Sequence, residues 1–259
     1  MKLFDSHAHL DDEKFNEDRE EIIKNIIKEN NTGFVTVGYN MQSSKIAIEI
    51  SNKYEEVYST VGISPNDIPQ NDEELWKELS EIELLAKKNN KVKAIGEIGL
   101  DYYWNKKNKE FQKLAFIKQI EIANKLNLPI AIHTREAIMD TLTILKENKV
   151  ASTGIFHCCP LNRELVKEGL KLGYYISFSG TITFKNAKNA DEIISMVPNE
   201  KILIETDSPY LSPEPFRGKR NTPTNVKYMA EKIAKVKNID IKDIALLTYE
   251  NAKKIYKIN

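Results

Sequence analysis

Short apolar runs rich in Val, Ile, Phe and Tyr alternate along the chain with longer segments in which apolar residues recur every three or four positions. The first pattern is that of buried strands and the second that of amphipathic helices. Strands are predicted at 2–9, 33–39, 57–63, 92–100, 128–134, 153–158, 174–180 and 201–207. Helical stretches between them include 18–31, 73–90, 109–127 and 135–149, and 225–238 and 241–257 follow the last strand. Such alternation builds βαβ units on a parallel sheet. Eight strands with helical crossovers favour a closed (β/α)8 barrel, although a doubly wound open sheet has the same local pattern.

A length of 259 residues fits one barrel or two small domains. With no internal repeat, low-complexity tract or Pro- or Ser-rich linker, a single domain over 1–259 is expected. Hydrophobic residues make up 41% and charged residues 29%, ordinary values for a soluble chain, and no apolar run approaches the roughly 20 residues that span a bilayer. The opening MKLFDSHAHL carries a motif where a secretory leader would carry its apolar stretch, so a cytoplasmic protein is expected. The two cysteines, Cys158 and Cys159, are adjacent, which leaves no plausible disulfide framework and suits a reducing compartment. Lys plus Arg balances Asp plus Glu at 38 each, so no global positive field draws the protein onto nucleic acid, and any polyanion must be held locally.

The histidines change this picture. There are only four, and each lies in a predicted strand or at its C-terminal end. His7 and His9 are two apart, so in a strand both imidazoles share one face with Asp5 and form a clamp for a metal. Taken alone, such a pair is equally well two buried polar residues satisfied by hydrogen bonds. Glu97 stands among apolar residues and glycines in a strand expected to be buried on both faces, where an unpaired carboxylate is costly. His133, His157 and Asp207 each follow an apolar β run. These six residues come from five strands, at the end where barrel active sites assemble. Imidazole with carboxylate is a transition-metal donor set, and six ligands suggest two divalent ions per chain, zinc, manganese or magnesium, with one carboxylate shared.

Around this set, Glu205 precedes Asp207 by two residues and can orient a ligand histidine, or alternatively sit in an internal salt bridge. Arg135, at the expected start of a helix, is a candidate for binding a phosphate. Arg217, Lys219 and Arg220 lie in a Pro-flanked loop after the eighth strand and can track a nucleic-acid backbone. Tyr102, Tyr103 and Trp104 follow the strand of Glu97 and offer either a stacking surface for a base or packing over the barrel rim.

The stretches DSHAHLD, GEIGLDYYW, IHTREA, FHC, ISFSGTITFKN, ETDSPYL and PFRGKRNTP together resemble the TatD family of metal-dependent deoxyribonucleases, in the amidohydrolase-like barrels. They run in the family's order from residue 5 to 223, nearly the whole chain. The resemblance implies one metal held by His7, His9 and Asp207, a second held by His133 and His157, and Glu97 bridging both. It implies hydrolysis of DNA phosphodiester bonds, exonucleolytic at single strands or ends, by a water activated between two metals, with Glu97 and Asp207 as the catalytic carboxylates. Where the family usually reads HCFSG, this chain has HCCPLN from His157, which alters the adjoining substrate loop. Similar barrels also hydrolyse carbonyl compounds, so a small amide, lactone or aminoacyl ester is the alternative substrate, and a non-catalytic metal-binding module is a third possibility.

Overall fold

The computed structural model describes residues 1–30, 33–104 and 106–258. The last residue of the helix predicted at 18–31 lies outside them. Eight strands form one parallel sheet in sequence order: β1 (Asp5–Ala8), β2 (Phe34–Val37), β3 (Val57–Val61), β4 (Val92–Asp101), β5 (Ile130–Arg135), β6 (Gly154–Phe156), β7 (Tyr175–Phe178) and β8 (Ile202–Ile204). The seam between β8 and β1 is joined by the chain just beyond β8, which bonds to β1 and to the residue after it. There the Asp207 N–H donates to the His7 carbonyl at 2.9 Å and the His9 N–H to the Ser208 carbonyl at 2.8 Å. The expected (β/α)8 barrel is therefore the fold, and the open sheet is excluded.

Helices α1 (Arg19–Asn30), α2 (Met41–Lys53), α3 (Asp72–Lys88), α4 (Lys109–Leu126), α5 (Ile138–Glu147), α6 (Arg163–Lys171), α7 (Ala190–Met196), α8 (Val226–Lys237) and α9 (Ile241–Tyr256) surround the sheet. Their starts are marked in the sequence. Asn40 caps α2 in a capping box with Ser43, and Asn71 and Asp240 cap α3 and α9 with their side chains, satisfying amides that the first turn leaves unpaired. One face of each helix packs on the outer sheet surface, as Leu75, Leu79 and Ile82 of α3 do. A separate apolar cluster joins Phe4, Val35, Ala94, Ile155, Tyr175 and Leu203 across the barrel to Ala252, Ile255 and Tyr256 of α9, and so fills the end opposite the strand C-termini.

Most strands are shorter than their apolar runs suggest. The chain leaves the ladder at Phe156 and Ile204, so His157, Glu205 and Asp207 stand on connections just beyond the sheet. Two register irregularities also matter, between Asp5 and Ala8 and between Ile95 and Ile98. Strict alternation from Phe4 and Ala94, which face the interior, would turn His7 and Glu97 outward. The irregularities change the parity and bring both inward, as bulges near active sites do.

Candidate metal centre

His7, His9, Glu97, His133, His157 and Asp207, the six residues singled out in the sequence, meet at the C-terminal mouth of the barrel. Glu97 lies at the middle. Its Oε2 is 3.4 Å from His7 Nε2 and 3.6 Å from His9 Nε2, while its Oε1 is 3.0 Å from His133 Nδ1 and 3.3 Å from His157 Nε2. Asp207 closes the first group, with Oδ1 3.2 Å from His9 Nε2 and 3.7 Å from His7 Nε2. Asp207 has a left-handed backbone, with φ of 54°, which turns its side chain back over the barrel axis.

Donor atoms packed this way fit a metal. Ligands about 2.1 Å from an ion are separated by about 3.0–3.4 Å along the edges of an octahedron or tetrahedron, and the spacings here fall close to that range. His7, His9, His157 and Glu97 are buried and His133 and Asp207 partly so, which without a cation leaves acidic and basic groups to neutralise each other. Burial alone would raise the Glu97 carboxyl, yet the surrounding histidines, His157 foremost, hold it well below the usual carboxylate range. Burial likewise opposes charge on His9, but its hydrogen bond to Asp207 prevails and lifts it to about 9. His157 is raised well above the ordinary histidine value against the same burial, chiefly by the Glu97 charge. His7 goes the other way, lowered by burial and by His157, whose ring stacks on it at 3.9 Å between centroids.

The outer contacts orient the rings. His9 Nδ1 lies 3.1 Å from the Val37 carbonyl. Glu205, fully buried, accepts from the Cys158 N–H and faces His157 Nδ1 at 3.5 Å. Asp101 was missed in the sequence. Its Oδ2 is 2.9 Å from His133 Nε2, so His133 turns Nδ1 inward where the other three histidines turn Nε2. The available signal was its place at the end of the Glu97 strand, in GEIGLDYYW. Asp5 does not join the cluster. Its carboxylate accepts from the His7 N–H and from the N–H and hydroxyl of Thr206, and so stitches β1 to the segment after β8.

The cluster opens into a recess of about 420 Å³ bordered by Arg135, Cys158, Pro160, Thr181 and Tyr210. A larger recess of about 670 Å³ lies between α1 and α2, away from the histidines and among charged surface residues, and has no comparable chemistry. Arg135 reaches the mouth from the last position of β5 and not from a helix start, since α5 begins at Ile138. Its guanidinium lies over the Tyr103 ring, 3.9 Å from the centroid. The residues Arg217, Lys219 and Arg220 do not border this recess. Arg217 lies over Phe184 and Lys219 is exposed, while Arg220 is paired with Asp18 and donates to the Lys14 carbonyl. Cys158 and Cys159 are free, as their adjacency predicts. Among the described residues no helix is long and apolar enough to cross a membrane.

Known proteins place this centre in context. The family described as TatD related DNase matches residues 4–257. The chain is 45% identical to the uncharacterized metal-dependent hydrolase YabD of Bacillus subtilis, over 99% of this chain and 100% of that protein. It is 35% identical to the metal-dependent hydrolase YcfH of Escherichia coli, over 100% and 97%. The crystal structure of YjjV, a TatD homologue from Escherichia coli, superposes with a TM-score of 0.92 at 22% identity, covering 99% and 98% of the two chains, which shows the shared fold. Agreement along the entire barrel, with the buried histidines and carboxylates gathered where such hydrolases work, makes this chain a metal-dependent hydrolase of the TatD-related DNase family.

Proposed function

We propose that the protein is a deoxyribonuclease that hydrolyses phosphodiester bonds exonucleolytically at single strands or ends, using two divalent ions. His7, His9 and Asp207 would hold one ion and His133 and His157 the other, with Glu97 shared. The observation that carries this is the division of Glu97, one carboxylate oxygen facing each histidine pair. Ions so held would supply Lewis-acid charge to the phosphoryl oxygens and make water a competent nucleophile near neutral pH. The chain's own groups do the rest. Asp207 borders the recess with Oδ1 turned to the histidines, leaving its second oxygen to take the proton of the attacking water. Arg135 holds the charge of the phosphate at the mouth. Asp101 and Glu205 fix the rings of His133 and His157.

A second substrate class, an aminoacyl ester or other small amide or lactone, is favoured by a separate acidic recess beside Tyr210. It is bordered by Asp11, Asp12, Glu13 and Glu49, with Arg19 held on the Leu10 and Asp11 carbonyls, and this acidic excess suits an ammonium group. The discriminating experiment follows nucleotide release from 5′- and 3′-labelled single-stranded DNA by metal-free protein resupplied with magnesium, manganese or zinc, beside Glu97→Ala. Metal-dependent release that vanishes in the variant is expected, and the label released first gives the polarity. Metal binding without cleavage would transfer the assignment to carbonyl substrates.

A further inference from the structure

The connection between β4 and α4 contains Tyr102, Tyr103 and Trp104 followed by Lys106 and Lys107, aromatic and then basic residues at the mouth of the barrel. Tyr102 is structural: it is buried, and its hydroxyl donates to Asp140 at 2.7 Å. Its two neighbours are different. Tyr103 is 43% exposed and Trp104 is 68% exposed. An exposed aromatic by itself says little, but these two are held in place. Asp101 Oδ1 accepts both of their backbone N–H groups, at 2.9 and 3.0 Å, while the other oxygen of the same carboxylate faces His133. Their rings meet edge to face at 4.8 Å, and Arg135, which borders the recess, covers the Tyr103 ring. A continuous path therefore leads from the metal-type cluster over Arg135 and Tyr103 to Trp104, with the exposed Lys106 and Lys107 just beyond in the chain.

The opposite side of the recess has the reverse charge. Past Tyr210 come Asp11, Asp12, Glu13 and Glu49, in excess over Arg19, which is held on the Leu10 and Asp11 carbonyls, and Lys14, which lies over the Tyr210 ring. A polyanion leaving the site is repelled there and attracted across the β4 and β5 rim.

We propose that Tyr103 and Trp104 are a stacking platform for a nucleobase of single-stranded substrate adjoining the scissile phosphate, with Arg135 on the phosphate and Lys106 and Lys107 along the continuing backbone. This rests on the nuclease assignment and assigns the substrate's path from it. The platform takes the π-face of any base, so it confers preference for single strands over duplex without sequence preference.

The test compares Trp104→Ala, Trp104→Phe and Trp76→Ala, a tryptophan on α3 that packs under Lys118 and does not border the recess, as metal-loaded full-length proteins. The substrates are a single-stranded oligothymidylate and a small chromogenic diester, thymidine 5′-p-nitrophenyl phosphate. Loss of one stacked base corresponds to about tenfold or more in binding. In Trp104→Ala the selectivity for oligothymidylate over the small diester, as the ratio of kcat/KM values, is expected to fall about tenfold through KM, with Trp104→Phe close to wild type and Trp76→Ala unchanged. If the wild type cleaves oligothymidylate and Trp104→Ala keeps its selectivity, the platform is wrong and the nuclease assignment stands. If the wild type cleaves neither diester, the nuclease assignment fails and the platform with it.

Discussion

Asp101→Asn tests how far the outer contacts govern the metal centre. Asp101 ends β4 with its carboxylate out of water, receiving four donors: His133 Nε2 and Asn66 Nδ2 on Oδ2, and the Tyr103 and Trp104 amides on Oδ1. Burial alone would raise its carboxyl, but these bonds, with His133 first among them, hold it at about 2. An ionised carboxylate only accepts, so Asp101 keeps a His133 proton on Nε2 and leaves Nδ1, 3.0 Å from Glu97, as the nitrogen that would give its lone pair to a metal. Asparagine keeps the shape but has one acceptor oxygen. If that oxygen retains the two backbone amides, its NH2 confronts His133 and Asn66. Donors then meet donors, and His133 is driven to the tautomer with its proton on Nδ1, which is unable to bind a metal. Loss of such a partner costs about 10- to 100-fold in metal affinity, and each stranded donor about 1–3 kcal/mol of stability. Calorimetric titration of metal-free protein with zinc or manganese, paired with thermal melting, reads both. An Asp101→Asn protein that binds metal within about twofold of the wild type would refute the reasoning.

The pH dependence of metal binding follows from His9. Its folded value of about 9 lies above that of free histidine, so at neutral pH the metal-free cluster carries a proton that an ion must displace. Apparent affinity is expected to rise with pH, about tenfold per unit for each proton displaced, with proton release measurable in weak buffer. The same shift stabilises the metal-free fold below the free-histidine value, and that contribution is lost as pH rises through about 9, so melting temperatures in chelator should drop over that interval. Gly99→Ala should cost at least about 3 kcal/mol in denaturant unfolding, because φ is 139° there and the added Cβ would stand 2.0 Å from the His133 carbonyl oxygen. Arg220→Ala should change stability by no more than about 1 kcal/mol, since its ion pair with Asp18 is partly exposed. It should also leave oligonucleotide KM within about twofold, because its guanidinium is taken up by Asp18 and the Lys14 carbonyl.

Much of this protein can be read along the chain. Hydrophobic period alone gives the order of strands and helices, because burial of one helix face or both strand faces is a local requirement. The six centre residues stand out for a related reason: a histidine or carboxylate closing an apolar run, as in IAIHT or ILIETD, costs energy unless something binds it. Barrel closure and the roles around the centre are different in kind. Whether eight strands close is decided by the seam between β1 and the segment after β8, which joins residues about 200 positions apart. The inward turn of His7 and Glu97 depends on register irregularities that no alternation of residues announces. The pairing of Asp101 with His133 and the diversion of Arg220 to Asp18 depend on which loops become neighbours at the barrel mouth. Burial requirements are written into each short segment, whereas partners across the barrel exist only once the sheet has closed.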